Sequence, residues 1–351
     1  MIADLKLVNF RSYEEAVFEF GPNVNIIVGP NASGKTNLLE AILVACTGSS
    51  YRVKDIELIR FNQPWTRLEA DTDEGVRRVT IENIEGLAKK KFVINGAALA
   101  RLLLQKKVPV VVFEPDHLRL LQGGPERRRD YLDTLLEQTV SGYGRLRREY
   151  KRTVAQRNAL LKQMQGHSDT QLFAWNVRLS ELGGKITKLR SGIVDRLNEN
   201  IEVLYSELTH GNAPVRLVYE SDCSVENYSS EVLTLLSKNL DKDMLRGFTG
   251  NGPHRHDLGV FLKDHSASLT ASRGESRTLL LALKLLELQL VEEVRGKKPI
   301  LLLDDVFSEL DGARRKALTA HLKNYQTFIT TTDADIVVQH FIDDCTIIPL
   351  G

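Results

Sequence analysis

The sequence predicts an α/β fold, in which strands of a parallel sheet carry a phosphate-binding loop and a mainly helical segment is inserted between them. Three observations predict it. Gly29-Pro-Asn-Ala-Ser-Gly-Lys-Thr36 fills every fixed position of the pattern G-x-x-x-x-G-K-[ST]. Pro299 to Leu303 is an apolar run that ends in two carboxylates, Asp304 and Asp305. Between these motifs, residues 127–208 carry apolar side chains mostly at helical spacing.

The phosphate-binding loop has the neighbours that its pattern requires. Val24 to Val28 predicts a short buried strand, and Asn37 to Ala45 predicts a helix whose N-terminus points at the phosphates. Lys35 would reach the β- and γ-phosphates, and the Thr36 hydroxyl would ligate Mg²⁺. A glycine-rich turn with an exposed lysine, the alternative, would not require a strand before it and a helix after it. The candidate ATP-binding residues are Arg11, Gly29, Pro30, Asn31, Ala32, Ser33, Gly34, Lys35, Thr36 and Asn37.

Composition indicates a globular protein with a locally basic segment. The 351 residues have a formal net charge of +1, so composition alone predicts no polyanionic partner. Residues 120–165, however, contain ten basic and five acidic side chains. The three cysteines are far apart and fit neither a disulfide framework nor a metal site, which favours a reducing cytoplasm. We expect no secretion signal and no membrane segment.

Antiparallel strands are predicted on both sides of the loop and its helix. Ile2 to Val8 and Ala16 to Phe20 alternate apolar and polar residues and predict a hairpin with Arg11 near its turn. Two further alternating segments, 68–71 and 76–82, precede Lys90 to Ile94, which runs into the hairpin signal Asn95-Gly96. These segments predict an antiparallel β-subdomain attached to the nucleotide-binding core.

The carboxylates that follow apolar strands are candidates for metal binding and catalysis. We expect Asp304 to hold Mg²⁺ and Asp305 to orient or deprotonate the attacking water, with Lys35 as the third catalytic residue. Val108 to Phe113 is a second apolar run, and it ends at Glu114 and Asp116, which would lie at the same sheet edge.

The segment between residues 123 and 259 predicts a helical arm. Helical spacing from Arg127 to Met164, a turn around Gly166 and a second helical run from Leu172 to Leu208 predict an antiparallel helix pair. Its cations either form a solvated helix face or contact DNA phosphates, and their clustering keeps the second interpretation open. The DNA-binding candidates are Arg127, Arg128, Arg129, Arg147, Arg148, Lys151 and Arg152. His254, His256 and Asp257 follow; we favour hydrogen-bonding loop residues over a metal site there.

The order of the C-terminal motifs resembles the ABC-type ATPases. Ser272 and Gly274 match that family's signature before an apolar helix, whereas Arg273 and Glu275 depart from it. The run 308–311 is similar to the family's loop after the acidic strand. The resemblance implies a head-to-tail dimer in which Ser272, Gly274 and Asp311 meet ATP bound to the other subunit. The family's switch histidine and glutamine have no clear counterparts, which implies slow hydrolysis, with Thr332 or Asp333 as possible replacements for the histidine.

Seven motifs in order resemble the bacterial RecF family, in the SMC-like branch of the ABC-type ATPases. They are residues 5–13, the phosphate loop with Asn37, 112–116, 125–133, 252–255, 272–285 and 301–311. The resemblance implies an ATP-dependent homodimer and weak DNA-dependent ATPase that binds double-stranded DNA and single-strand/double-strand junctions. It also implies recombination, DNA repair and the SOS response, with RecO and RecR as partners in loading RecA at gaps.

These expectations define domains and a function. We expect an ABC-type ATPase head at 1–122 and 260–351, with an antiparallel β-subdomain, and an inserted helical arm (lid) domain at 123–259. ATP and Mg²⁺ would close the dimer on DNA, and hydrolysis would release it. Two alternatives remain open: a monomeric P-loop phosphotransferase, and an architectural SMC-type protein, which normally has longer arms.

Overall fold

The computed structural model divides the chain into two compact units. It describes residues 1–163, 169–209, 211, 213–333, 335–339, 341 and 345–351. The first unit contains residues 1–117 and 287–351, and the second contains residues 118–286. The turn predicted around Gly166 lies outside the described residues. No helix among the described residues is long and apolar enough to cross a membrane.

A five-stranded parallel sheet carries the phosphate loop in the first unit. Its strands are β3 (Val24–Val28), β8 (Val110–Phe113), β12 (Ile300–Asp304), β13 (Thr327–Thr331) and β14 (Cys345–Pro349). Their order is β14-β3-β13-β12-β8. Every residue of β12 and β13 is buried, and the apolar run of β12 is typical of a strand that is covered on both faces. The strands predicted before the phosphate loop and before Asp304 are therefore confirmed.

A six-stranded antiparallel sheet forms the rest of the β-structure of this unit. It contains β1 (Ile2–Phe10), β2 (Tyr13–Glu19), β4 (Trp65–Thr72), β5 (Gly75–Ile84), β6 (Leu87–Ile94) and β7 (Ala97–Leu99), in the order β2-β1-β4-β5-β6-β7. Asn95 and Gly96 have φ angles of 50° and 80° and join β6 to β7, as their hairpin signal predicted. The predicted antiparallel subdomain is confirmed.

The helix after the phosphate loop packs between the two sheets. This helix, α1 (Lys35–Thr47), buries most of its residues, and Ile42 and Val44 are fully buried. They share one core with Leu7 and Leu68 of the antiparallel sheet and with Phe328 of the parallel sheet. Since α1 is apolar on nearly all sides, it can be stable only between two covering layers.

The second unit is mainly helical, as predicted. Its helices are α2 (Pro125–Thr139), α3 (Tyr143–Gln163), α4 (Asp169–Asn198), α5 (Ile201–Thr209), α6 (Tyr228–Lys238), α7 (Leu240–Arg246) and α8 (Ala267–Thr270). A small antiparallel sheet contains β9 (Val215–Glu220), β10 (Asp257–Leu262) and β11 (His265–Ser266), with β10 in the centre. The run expected as one helix from Arg127 is two helices, because Gly142 adopts a φ of 84° between them.

Further helices lie in the described C-terminal part of the chain. Helix α9 (Arg273–Arg295) begins in the second unit and ends in the first, and α10 (Val306–Glu309), α11 (Gly312–Leu322) and α12 (Asp335–Val338) belong to the first. Helix α10 follows β12 after a single residue, Asp305. The candidate functional site is formed by residues at the end of β12 and at the start of α1.

Candidate functional site

The phosphate loop runs from β3 into α1 and depends on its two glycines. Gly34 has a φ of 99°, and a Cβ there would lie 2.8 Å from the Tyr13 hydroxyl oxygen. A Cβ on Gly29 would collide with the carbonyl of Leu350. Both positions therefore require glycine, because a Cβ at either one would lie too close to a neighbouring atom. This is the structural reason for the two fixed glycines of the sequence pattern.

Lys35 and Ser33 contribute polar side-chain groups to the phosphate loop. The Lys35 side chain donates hydrogen bonds to the carbonyl oxygens of Gly29 at 2.8 Å and Pro30 at 3.0 Å. Lys35 is only 5% exposed, so its ammonium group is held within the loop. The Ser33 hydroxyl is buried and has no hydrogen-bond partner among the described residues. A buried hydroxyl without a hydrogen-bond partner and a buried cation in the same loop fit the oxygens of a phosphate group.

The parallel sheet brings Thr36 and Asp304 together, although 268 residues separate them. The Thr36 hydroxyl lies 3.0 and 3.1 Å from the two oxygens of the Asp304 carboxylate. Thr330, on the neighbouring strand β13, donates a further hydrogen bond to Asp304 at 2.8 Å. Parallel strands end at the same sheet edge, so the sequence prediction that these two side chains cooperate has a direct geometric basis.

The donor set at Thr36 and Asp304 fits a hard divalent cation. Magnesium binds a hydroxyl, one or two carboxylates and phosphate oxygens, and it keeps several waters. Among the described residues, no group of three or more His, Cys, Asp or Glu side chains is arranged to hold a metal ion. A cation here would therefore need oxygens from a bound nucleotide in addition to those of the protein.

Asp305 lies immediately after Asp304 in a strained backbone conformation. Its φ is 53°, in the left-handed region that favours glycine, and its N–H donates to the Thr330 hydroxyl at 2.9 Å. Burial and the neighbouring Asp304 carboxylate raise the pKa of Asp305. A carboxylate with a raised pKa is a better proton acceptor, which suits the role of general base predicted for it.

Arg52 is a residue of the candidate site that the sequence did not identify. Its guanidinium group lies 3.0 Å from an Asp304 oxygen and 2.7 Å from a Glu114 oxygen. Tyr51 donates to the same Glu114 oxygen at 2.7 Å, and burial raises the pKa of its phenol. Glu114 is thus held by Arg52 and Tyr51 beside the candidate metal position. A single arginine in a loop outside every recognised motif carries no local signal that could have identified it.

Arg11 is held by an acidic partner on α1. Its Nε donates to Glu40 at 2.8 Å, and the Glu40 side chain is 2% exposed. The same hairpin turn contacts the start of α1, because Asn37 donates to the Ser12 hydroxyl at 2.9 Å. The predicted ATP-binding residues Arg11 and Asn37 therefore lie on connected elements next to the loop.

Ser272 and Glu275 form a capping box at the start of α9. The Ser272 N–H donates to the Glu275 carboxylate at 2.9 Å, and the Glu275 N–H donates to the Ser272 hydroxyl at 3.2 Å. These hydrogen bonds lower the pKa of Glu275. Gly274 follows in the first turn of α9. The hydroxyl of Ser272 can still donate its own hydrogen to an anion.

Asp311 occupies the corresponding position on another helix, in the first unit. It is the N-cap of α11 and accepts a hydrogen bond from the Arg314 N–H at 3.0 Å. Its side chain also forms an ion pair with that of Arg314 and is 54% exposed. Its carboxylate is therefore accessible to a partner.

The seven candidate DNA-binding residues differ in their surroundings. Arg128 is buried and pairs through two nitrogens with the Asp257 carboxylate, each at 2.7 Å. Arg129 donates to the His256 carbonyl oxygen at 2.8 Å, and burial lowers its pKa. Arg147 forms ion pairs with three carboxylates of α2. Arg127 is half-buried, and the exposed members are Arg148, Lys151 and Arg152.

Polar loop residues near 254 form hydrogen bonds, as favoured from the sequence. His256 lies 2.6 Å from an Asp222 oxygen through Nε2 and 2.7 Å from the Tyr219 hydroxyl through Nδ1. His254 contacts the hydroxyl of Tyr150 at 2.8 Å. This loop is thereby fixed to the surrounding elements of the second unit.

Comparisons with known protein sequences identify relatives of this chain. A family model described as an AAA domain matches residues 4–202. The chain is 34% identical over 341 residues to the DNA replication and repair protein RecF of Clostridioides difficile (strain 630), covering 95% of this chain and 91% of the relative. It is 35% identical over 342 residues to that of Heliobacterium modesticaldum (strain ATCC 51547 / Ice1), covering 94% and 92% of the two chains.

Among solved structures, the chain is also similar to a RecF protein. A structure of the recombination mediator protein RecF-ATP in the RecFOR pathway has a TM-score of 0.84 and 30% identity, covering 95% of this chain and 92% of that chain. A structure of the SmcHead bound to the C-winged helix domain of ScpA has a TM-score of 0.52 at 17% identity, covering 97% and 91% of the two chains. The second likeness concerns the fold alone.

Proposed function

Because the chain belongs to the RecF family of DNA replication and repair proteins, we propose that it binds ATP and acts in DNA replication and repair. The observation that carries the proposal is the contact of the Thr36 hydroxyl with the Asp304 carboxylate, next to the buried Lys35. A nucleotide on the loop at 29–36 would meet a cation, a hydroxyl and a carboxylate at one end of its phosphate chain.

The proposed reaction is a slow hydrolysis of ATP. The loop N–H groups and Lys35 bind the phosphates, and Thr36 with Asp304 would hold Mg²⁺. Mg²⁺, when bound, neutralises charge on the phosphate oxygens. Asp305 orients the attacking water and accepts its proton, for which its raised pKa is suited. Arg52 holds the carboxylates of Asp304 and Glu114 through ion pairs and so positions Asp304 for the cation.

We further propose that ATP joins two copies of the chain head to tail. Ser272 and the N-terminus of α9 in one copy would meet the phosphates on the loop of the other, and Asp311 would lie at the same interface. The capping box supports this role, because it orients Ser272 while leaving the hydrogen of its hydroxyl available. In this proposal the ATPase head comprises residues 1–122 and 260–351, and the inserted arm comprises residues 123–259.

Light scattering coupled to size exclusion tests the dimer. The wild-type protein should double its mass when ATP and Mg²⁺ are added, whereas Lys35→Met should stay a monomer because the phosphates lose their buried cation. Ser272→Arg should still bind ATP as a monomer, since its own loop is intact. A wild-type protein that remains monomeric at saturating ATP would refute the dimer.

The arm domain is proposed to bind double-stranded DNA, near single-strand gaps and junctions. Arg148, Lys151 and Arg152 are exposed on α3, and each neutralised phosphate releases counterions. DNA would favour the ATP-bound dimer as strongly as ATP favours DNA binding, and DNA would stimulate a weak ATPase. RecO and RecR would be its partners in loading RecA, in the bacterial cytoplasm and the SOS response.

Duplex binding measured across a salt series separates this proposal from a small-molecule phosphotransferase. Replacing Arg148, Lys151 and Arg152 with alanine should weaken binding by at least tenfold and lower the salt dependence by about three counterions. The matched control replaces Lys185, Lys188 and Lys238, which are exposed elsewhere in the same unit. Equal losses in both triple variants would mean that only net charge matters.

A further inference from the structure

The central strand of the parallel sheet, β13, contains buried hydroxyl groups. It lies between β3 and β12, and all of its residues are buried. Three of its five residues are threonines with 0% exposure: Thr327, Thr330 and Thr331. Such strands are usually rich in valine, isoleucine and leucine, and valine would fill nearly the same space without a buried polar group. Each hydroxyl therefore needs a hydrogen-bond partner inside the protein.

Thr330 lies directly opposite Asp304 in the pairing of β13 with β12. Its hydroxyl oxygen is 2.8 Å from Oδ1 of Asp304 and 3.4 Å from the carbonyl oxygen of Leu303. A hydroxyl has a single hydrogen to donate, and a carboxylate oxygen is the stronger acceptor. The hydrogen of the Thr330 hydroxyl is therefore directed at Asp304.

The same hydroxyl also accepts a hydrogen bond from the main chain of Asp305. The Asp305 N–H donates to it at 2.9 Å, and the φ of Asp305 is 53°. A left-handed conformation at a residue other than glycine persists only where its surroundings fix it, and this hydrogen bond is one such contact. One hydroxyl on β13 thus joins the side chain of Asp304 to the main chain of Asp305.

The Asp304 carboxylate is held at both of its oxygens. Thr330 donates to Oδ1, and Nη2 of Arg52 lies 3.0 Å from Oδ2. The Thr36 hydroxyl, which would turn its oxygen to a bound cation, is a third neighbour. Since Thr330 belongs neither to the phosphate loop nor to the exposed surface, its hydrogen bonds can persist when a cation and a nucleotide are bound.

We propose that Thr330 is a positioning residue that sets the geometry of both carboxylates. It fixes Oδ1 of Asp304 for the cation and the main chain of Asp305 for the attacking water. The inference rests on the proposed hydrolysis of ATP and adds a residue that touches neither substrate nor metal. Valine at this position would keep the packing but leave the Asp305 N–H and an Asp304 oxygen without this partner.

Thr330→Val should lower ATP turnover at saturating ATP by about tenfold to a hundredfold, as expected for the loss of a hydrogen bond to a charged group. The KM for ATP should change by less than about twofold, because Thr330 does not contact the phosphate loop. Thr330→Ser keeps the hydroxyl and should restore turnover to within about threefold of the wild type.

Binding of Mn²⁺ gives a readout that does not depend on hydrolysis. Mn²⁺ suits the same oxygen ligands as Mg²⁺, and free Mn²⁺ can be measured by electron paramagnetic resonance. In the presence of a non-hydrolysable ATP analogue, Thr330→Val should weaken Mn²⁺ binding about tenfold, because the Asp304 carboxylate loses the hydrogen bond that orients it. Thr330→Ser should bind Mn²⁺ as the wild type does.

Thr327→Val is the matched control. Thr327 is on the same strand and is equally buried, but its hydroxyl donates to the Tyr325 carbonyl oxygen at 3.2 Å. It should leave turnover and Mn²⁺ binding unchanged. Thermal midpoints without nucleotide show whether each variant is folded. If Thr330→Val is unstable, Thr330→Ala compared with Thr330→Ser repeats the test, since these two side chains differ only in the hydroxyl.

Wild-type turnover and Mn²⁺ affinity in Thr330→Val would overturn the inference. Equal losses in Thr327→Val, or a Thr330→Ser variant as impaired as Thr330→Val, would overturn it too, because the effect would then come from the strand and not from this hydroxyl. A wild-type protein that binds Mn²⁺ with the analogue but does not hydrolyse ATP would refute the proposed reaction, and the Mn²⁺ affinities would then decide the role of Thr330.

Discussion

The second unit contains a fully buried ion pair between Arg157 and Asp243. The Arg157 side chain is 0% exposed and that of Asp243 is 2% exposed, and their atoms lie 2.7 Å apart. Arg157 also donates to Asn176 at 2.7 Å and to the Thr249 hydroxyl at 2.9 Å. Solvent cannot screen charges at this depth, and removing the cation leaves Asp243 buried without its counter-charge.

Arg157→Met should therefore lower the free energy of unfolding of this unit by about 3–5 kcal/mol. The double variant Arg157→Met and Asp243→Asn should recover much of the loss, because both charges are gone and the asparagine can still accept the Gly250 N–H bond that Asp243 accepts at 2.9 Å. The comparison of the two variants separates an uncompensated charge from lost packing.

Urea unfolding followed by the fluorescence of Trp175 is the assay. Trp175 precedes Asn176, a partner of Arg157, and Trp65→Phe would remove the other tryptophan from the signal. Arg178→Met is the control, since Arg178 forms its ion pairs at the surface and its removal should leave the midpoint unchanged. A loss below about 1 kcal/mol in Arg157→Met, or a double variant no more stable than the single one, would refute the reasoning.

Three further predictions concern pH, thiol chemistry and the nucleotide site. Burial lowers the pKa of His254 to about 4, so as the pH falls the unfolded chain binds a proton on this histidine before the folded chain does. The free energy of unfolding should therefore decrease between pH 6.5 and 4. His254→Gln should flatten the urea midpoint over this pH range, and an unchanged profile would contradict the role of His254. Burial raises the pKa of the Cys46 thiol to about 12, so iodoacetamide should modify Cys46 only after denaturation, as mass spectrometry of peptides would show. Thr36→Val should reduce ATP turnover at least a hundredfold while the thermal midpoint stays nearly constant; turnover close to wild type would exclude a metal-binding role for the hydroxyl.

Local sequence determined the elements of the candidate site. The glycines at 29 and 34, the apolar run before Asp304 and the Asn95-Gly96 turn each act through backbone geometry or strand burial within a few residues. Such features can be recognised without knowing what surrounds them. They predicted the parallel sheet, the phosphate loop, the antiparallel subdomain and the cooperation of Thr36 with Asp304, which parallel strands make geometrically necessary.

Only the tertiary structure decided which charged side chains are exposed and which are held by a partner. Arg128, Arg147 and Arg157 counted toward a basic segment in the sequence, yet their carboxylate partners bury or neutralise them, and two of those partners lie 129 and 86 residues away. Arg52 reaches Asp304 across 252 residues. The free energy of a charge depends on solvent exposure and on partners brought close by folding, so neither charge counts nor spacing could assign these roles.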